Sequence, residues 1–121
     1  MEEQRIVIIA THAGKDPERA TFPFVMGNAS YAMDEEATIV LQGSGVFLAK
    51  KGYAEHVHAS GFDPLKKLIN DFIELGGKIY VCAPCIKERN IGEADLIDKA
   101  QVVAGGSVIN ECCNAKAVLS Y

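Results

Sequence analysis

Residues 5–10 read Arg-Ile-Val-Ile-Ile-Ala, and every residue after the arginine is apolar. A strand with one face in water alternates polar and apolar side chains, and this one does not. It belongs inside a sheet covered on both faces, as a parallel sheet flanked by helices is. Further strand-like segments are Ala37–Leu41 (ATIVL), Lys78–Val81 (KIYV), Gln101–Ala104 and Ala117–Tyr121. Helix signals stand between them. Asp16-Pro17 supplies an N-cap and a proline at the first helical position. The helix it opens runs to about Met33, with a kink or a late start expected at Pro23. Asp63-Pro64 opens the clearest helix, where Leu65, Leu68, Ile69, Phe72 and Ile73 share one apolar stripe. Gly76-Gly77 stops it. Short helices are expected over Val46–Lys51, Glu93–Lys99 and Gly105–Asn114, while Glu55–Ala59 reads as a short edge strand or a loop. This alternation predicts an α/β fold: a three-layer α/β/α sandwich around a five-stranded, mainly parallel sheet, in a single domain of residues 1–121.

Charge and length remove several function classes. The net charge is −4, and no basic cluster exceeds the pairs Lys50-Lys51 and Lys66-Lys67. Nucleic acid is not an expected partner, because its binding rests on neutralising phosphates. No apolar run approaches the ~20 residues of a membrane span. Met1-Glu2-Glu3-Gln4-Arg5 is acidic and lacks the pattern of a secretory leader. The expected setting is the cytoplasm, where four cysteines point to reactive or metal-binding thiols before structural disulfides.

In parallel sheets ligands bind beyond the carboxyl ends of the strands. Those ends here carry Thr11-His12-Ala13-Gly14, Gln42-Gly43-Ser44-Gly45, Cys82-Ala83-Pro84-Cys85 and Gly105-Gly106-Ser107. Cys82 closes a buried strand and Cys85 falls in the first turn of the next helix. The positive end of that helix, with Lys87 and Arg89, favours thiolate, so Cys82 is expected to be the more reactive thiol. The competing reading makes Cys82 a small buried hydrophobe. Cys85 is either a resolving thiol or a neutral first-turn residue. Zinc is disfavoured because a structural site takes four ligands. Cys112 and Cys113 point about 100° apart on a helix and continue the apolar set Val108, Ile109, Cys112, which assigns them to burial. No metal and no cofactor are expected. The Ala-Pro between the first two thiols is thioredoxin-like only superficially: that fold needs a later proline facing the disulfide, and prolines 17, 23, 64 and 84 all precede Cys85. His12 reads as a base, an anion ligand or a strand-end cap, and His56 and His58 as solvent-facing. Gly43-Ser44-Gly45 and Gly105-Gly106-Ser107 lack the lysine and spacing of a P-loop; they form small anion nests or plain turns.

Laid out in order, the chain resembles the DsrE/DsrF-like family of small sulfur-relay proteins. The resemblance is carried by Ile6–Ala10 with Thr11-His12, by Asp16-Pro17-Glu18-Arg19-Ala20, and by Thr38–Gly43 with Gly45–Ala49. Gly77–Cys82 and Ala117–Tyr121 complete it. It implies that Cys82, at the end of the third strand, takes up sulfane sulfur as a persulfide and passes it on. Cys85 matches many short relatives but not the sulfur-transfer subunits that have only the first thiol. The resemblance further implies homo-oligomers, as trimers or hexamers, or assembly with paralogous subunits, together with sulfur donor and acceptor proteins. Surplus apolar surface on Leu65–Leu75 and Val46–Leu48 is expected to serve that assembly.

Three functions remain open at this point. One is a sulfur carrier, or sulfurtransferase-like protein, with the persulfide on Cys82. Another is a thiol redox protein or sensor cycling a Cys82–Cys85 disulfide. The last is a non-catalytic small-molecule or partner-binding module. The site residues common to the first two are Cys82 and Cys85, with His12, Gly43, Ser44, Lys87, Arg89 and Ser107 as candidate substrate or anion contacts.

Overall fold

The structure, a computed structural model, describes residues 4–121. Met1-Glu2-Glu3, part of the segment read as no leader, lies outside the described residues. The apolar runs form strands β1 (Ile6–Ala10), β2 (Ala37–Leu41), β3 (Lys78–Cys82), β4 (Ala100–Val103) and β5 (Ala117–Ser120). They make one sheet in the order β4-β3-β2-β1-β5, and all four pairings are parallel. The helices are α1 (Pro17–Ala32), α2 (Leu65–Glu74), α3 (Ala83–Glu88) and α4 (Gly105–Cys113). β1 and β2 lie inside the sheet, and every residue of β2 is buried, as an apolar run without alternation requires.

Topology decides which face each helix covers. The chain steps from β1 to β4 in one direction, then returns across the sheet to β5. Right-handed crossovers place the helices of the outward steps on one face and the helix of the return on the other. The first face carries the main core: Phe24 of α1, Phe72 of α2 and Ile86 of α3 pack with Ile8, Ile39 and Ile79 of the sheet. On the opposite face the buried apolar cluster among the described residues is Val7, Val40 and Val108. The layers are those of the α/β/α sandwich, but the second outer layer is the nine-residue α4 alone.

Phe72 shows how local sequence and packing agree. Its ring meets Phe24 edge-to-face at 5.9 Å. Side-chain carbons on Gly27 and Gly77 would lie 2.8 and 2.3 Å from that ring, so both positions must be bare. Gly76 takes φ +99°, and Gly77 N–H donates to Phe72 O at 2.9 Å, closing α2 with a Schellman motif. α3 ends the same way, with Asn90 at φ +55° and Ile91 N–H donating to Ile86 O at 2.9 Å.

Several local expectations give way to tertiary contacts. α1 runs unbroken through Pro23 from its Asp16 cap, with no late start. The carbonyl that Pro23 leaves without a donor belongs to Arg19, which is exposed and open to water. The helix expected over Val46–Lys51 begins earlier, as a 3-10 helix over Gly43–Ala49. The one expected over Glu93–Lys99 shrinks to a single turn, Glu93–Asp95. There Lys51 N–H donates to Asp95 O and Ile97 N–H to Ala49 O, both at 2.8 Å, which draws the chain out along the end of the first 3-10 helix. Residues 55–59 form no strand; a short turn, Ala54–His56, precedes extended chain in which Val57 and Ala59 are buried and His56 and His58 exposed. The apolar surplus assigned to Val46–Leu48 and to α2 is mostly used within the chain: Val46, Leu48, Leu65, Ile69 and Phe72 are buried. The exposed apolar side chains near the thin layer are instead Ile109, 63% exposed, and Val118, 49% exposed.

Candidate functional site

β3 delivers Cys82 to its carboxyl end, and α3 begins at the next residue, with Pro84 in its first turn. Cys85 therefore stands one turn above Cys82, and both thiols are reduced and half-buried. The neighbouring strand supplies the ceiling. After β2 the chain turns at Gly43, which adopts φ +54°, and its N–H donates to Cys85 Sγ at 3.3 Å. A left-handed residue at this point favours glycine. The turn is held down by Gly45, where a side-chain carbon would lie 2.3 Å from Ala10 O. Arg89, the C-cap of α3 and one turn beyond Cys85, donates from Nη1 to Cys85 O at 3.1 Å.

The electrostatics of Cys82 run against the simple helix-terminus expectation. Burial pushes its thiol above the ordinary value, and the adjacent Cys85 thiol adds to that. The Cys85 backbone N–H and the Arg89 guanidinium pull the other way without offsetting it. α3 is only six residues long, so its terminal charge is small against the cost of burying a thiolate.

The strand order sorts the remaining candidates. Gly43 and Ser44 follow β2, next to β3, and reach the thiols through the Gly43 amide. His12 follows β1, two strand spacings or roughly 10 Å from the β3 line. Its Nδ1 lies 3.2 Å from Thr11 Oγ1, whose hydroxyl donates to Tyr121 O at 2.8 Å, so it ties the ends of β1 and β5. Ser107 follows β4 on the other side of β3 and is exposed in the first turn of α4. Lys87 is exposed on α3, and its ammonium makes no hydrogen bond or ion pair among the described residues. The structure thus brings Cys82, Cys85, Gly43 and Arg89 together and leaves His12, Ser107 and Lys87 around them. Sequence reasoning did not single out Tyr53, whose hydroxyl accepts from Gly14 N–H at 2.8 Å, or Phe47, stacked on it at 5.4 Å. Two aromatics six residues apart on an irregular segment carry no periodic signal.

Cys112 and Cys113 lie at the far end of α4. Cys112 packs on the sheet, but Cys113 is exposed, as is Ile109, so only part of that apolar set is buried. No group of three or more His, Cys, Asp or Glu among the described residues could hold a metal ion. No helix among them is long and apolar enough to cross a membrane.

A model of the DsrE/DsrF-like family matches residues 4–121, nearly the whole chain. The chain belongs to the DsrE/DsrF-like family. Membership supports a function of the sulfur-relay kind. Among relatives, the chain is 32% identical over 98 residues to MJ0989 of Methanocaldococcus jannaschii, covering 81% of this chain and 82% of that protein. It is 30% identical over 105 residues to MJ0760 of the same organism, covering 87% of this chain but only 38% of that longer protein. The fold matches the crystal structure of the ychN protein from E. coli with a TM-score of 0.82 at 18% identity, over 98% of this chain and 99% of that one. MTH1491 from Methanobacterium thermoautotrophicum shares it with a TM-score of 0.67 at 13% identity, over 99% and 100% of the two chains.

Proposed function

We propose that this DsrE/DsrF-like chain is a cytoplasmic sulfur carrier that holds a persulfide on Cys82. The observation that carries this reading is the pairing of Cys82 with Cys85 beneath the Gly43 amide. Cys82 attacks the outer sulfur of a persulfide donor, R–S–SH. The donor's S–S bond breaks, R–SH leaves, and Cys82–S–SH remains. A persulfide ionises more readily than the thiol it replaces, and its outer sulfur projects beyond the half-buried Cys82 Sγ. The Cys85 N–H and Arg89, which cannot offset burial for the thiol, are then available to the extended anion. Release follows when Cys85 attacks Cys82 Sγ: the Cys82–Cys85 disulfide forms and the outer sulfur leaves as hydrogen sulfide. Charge on Cys85 during this exchange meets the Gly43 N–H.

The same adjacency supports a second reading, a thiol redox protein that cycles the disulfide without carrying sulfur. Intact mass after incubation with polysulfide separates the two. In Cys85→Ser, which cannot expel the sulfur, a gain of about 32 Da, one sulfur atom, supports the carrier; a loss of about 2 Da in the wild type with no gain in Cys85→Ser supports the redox cycle. No change contradicts both.

The proposed carrier works as a homo-oligomer or with paralogous subunits. Support comes from the thin α4 layer with its exposed Ile109 and Val118. Sedimentation at micromolar concentration is expected to give an assembly that Ile109→Glu weakens; a wild-type monomer would contradict it.

A further inference from the structure

Next along the chain from the Gly43 turn lies a recess of about 190 Å³ that the carrier chemistry above does not use, lined by Ala13, Lys15, Ser44, Phe47 and Tyr53. It sits over the carboxyl ends of β1 and β2. One peptide unit, about 3.8 Å between α-carbons, separates Ser44 from Gly43, whose amide touches Cys85 Sγ. Its walls are of two kinds. Phe47 and Tyr53 are stacked with ring centroids 5.4 Å apart and give an apolar side. Tyr53 is fixed there because its hydroxyl accepts from Gly14 N–H at 2.8 Å. Lys15 and Ser44 give a cationic, hydrogen-bonding side. The nearest carboxylate along the chain, Asp16, is occupied: it caps α1 through Arg19 N–H at 3.0 Å and lies 3.8 Å from the Arg19 guanidinium. The Lys15 ammonium makes no ion pair among the described residues.

We propose that this recess is the donor subsite of the carrier, and that it takes a short organic persulfide whose far end is an anion such as a carboxylate. Lys15 and Ser44 hold the anionic end, the Phe47–Tyr53 wall holds the carbon chain, and the persulfide end passes Gly43 toward the thiols. The volume sets the size. At about 30 Å³ per water the recess holds roughly six waters, room enough for a three-carbon acid. The inference rests on the carrier reading for its sulfur chemistry: Cys82–SH and R–S–SH give Cys82–S–SH and R–SH, with one S–S bond broken and one formed and no net oxidation.

Two measurements keep the inference and that reading separable. The first compares sulfur loading from the persulfide of 3-mercaptopropionate with loading from the persulfide of its uncharged amide, both below saturation. The acid is expected to load about five- to tenfold faster, the worth of one partly exposed charge-assisted hydrogen bond. Lys15→Ala is expected to bring the ratio close to one, and Ser44→Ala to lower it in part. Equal loading of the two donors by the wild type, or a ratio unchanged in Lys15→Ala, overturns the subsite. The second measurement needs no sulfur transfer. In Cys82→Ser, 3-mercaptopropionate itself is expected to shift the amide resonances of Gly14, Ser44 and Tyr53, and these shifts are expected to vanish when Lys15→Ala is added. If neither persulfide loads the wild type, the carrier reading fails while these shifts still decide the recess. No shift in Cys82→Ser overturns it.

Discussion

The chain holds two pairs of cysteines, and the fold treats them differently. Cys82 and Cys85 stand at the carboxyl end of an interior strand, half-buried, under a backbone amide and beside a guanidinium. Cys112 and Cys113 stand at the end of α4, where one packs on the sheet and the other faces out. Access favours the second pair. A small alkylating reagent is expected to reach exposed Cys113 before half-buried Cys82, whose thiol burial pushes above its ordinary value, against the expectation that Cys82 is the more reactive thiol. Holding a charged sulfur favours the first pair, where donors already converge. The lesson is that thiol reactivity divides into reach and retention, and a carrier depends on retention.

The largest expected effect separates the pairs outright. Cys82→Ser is expected to abolish retained persulfide, whereas Cys112→Ser and Cys113→Ser are expected to load like the wild type, as followed by intact mass. Next, Cys85→Ser removes the thiol that expels the cargo, and the persulfide on Cys82 is expected to outlast that of the wild type in a time course of sulfide release. Unchanged release would show that Cys85 is no resolving thiol.

Gly45→Ala has a smaller effect that links packing to the site. Its methyl would press on Ala10 O and lift the turn that carries the Gly43 amide. The expected cost is about 1–3 kcal/mol in urea unfolding, together with faster persulfide loss. Cys113→Ala, on an exposed surface, is expected to change stability by less than about 0.5 kcal/mol. The smallest effect concerns pH. Because burial raises the Cys82 thiol, its alkylation is expected to climb only above the ordinary thiol range. Arg89 lowers that value, so Arg89→Ala is expected to move the climb to still higher pH. A shift to lower pH would show that Arg89 does not act on Cys82.

Much of this was legible in the sequence, for identifiable reasons. Every strand was readable within a residue or two, because interior strands such as IVIIA and ATIVL repeat one instruction at each position. The Cys-x-x-Cys was placed by its strand-to-helix junction. The short segments around residues 43–59 and 93–99 were not legible as built, because hydrogen bonds to distant backbone, such as Lys51 to Asp95 and Ile97 to Ala49, decide them. The direction of the Cys82 shift was hidden for the same reason, since burial depends on packing that no local motif states. Gly43 stood out only as part of a glycine run; that its amide would meet Cys85 required the parallel β2–β3 pairing.

Sulfur location after equilibration tests retention directly. Persulfides exchange among thiols, so a substoichiometric donor loads whichever cysteine is reached first, and time then moves the sulfur to where its anion is best held. In Cys85→Ser, which cannot expel the cargo, the outer sulfur is trapped by alkylation after equilibration and mapped by peptide mass. It is expected on the peptide containing Cys82. Persulfide that accumulates on the peptide containing Cys112 and Cys113, with Cys82 unmodified, would contradict the assignment.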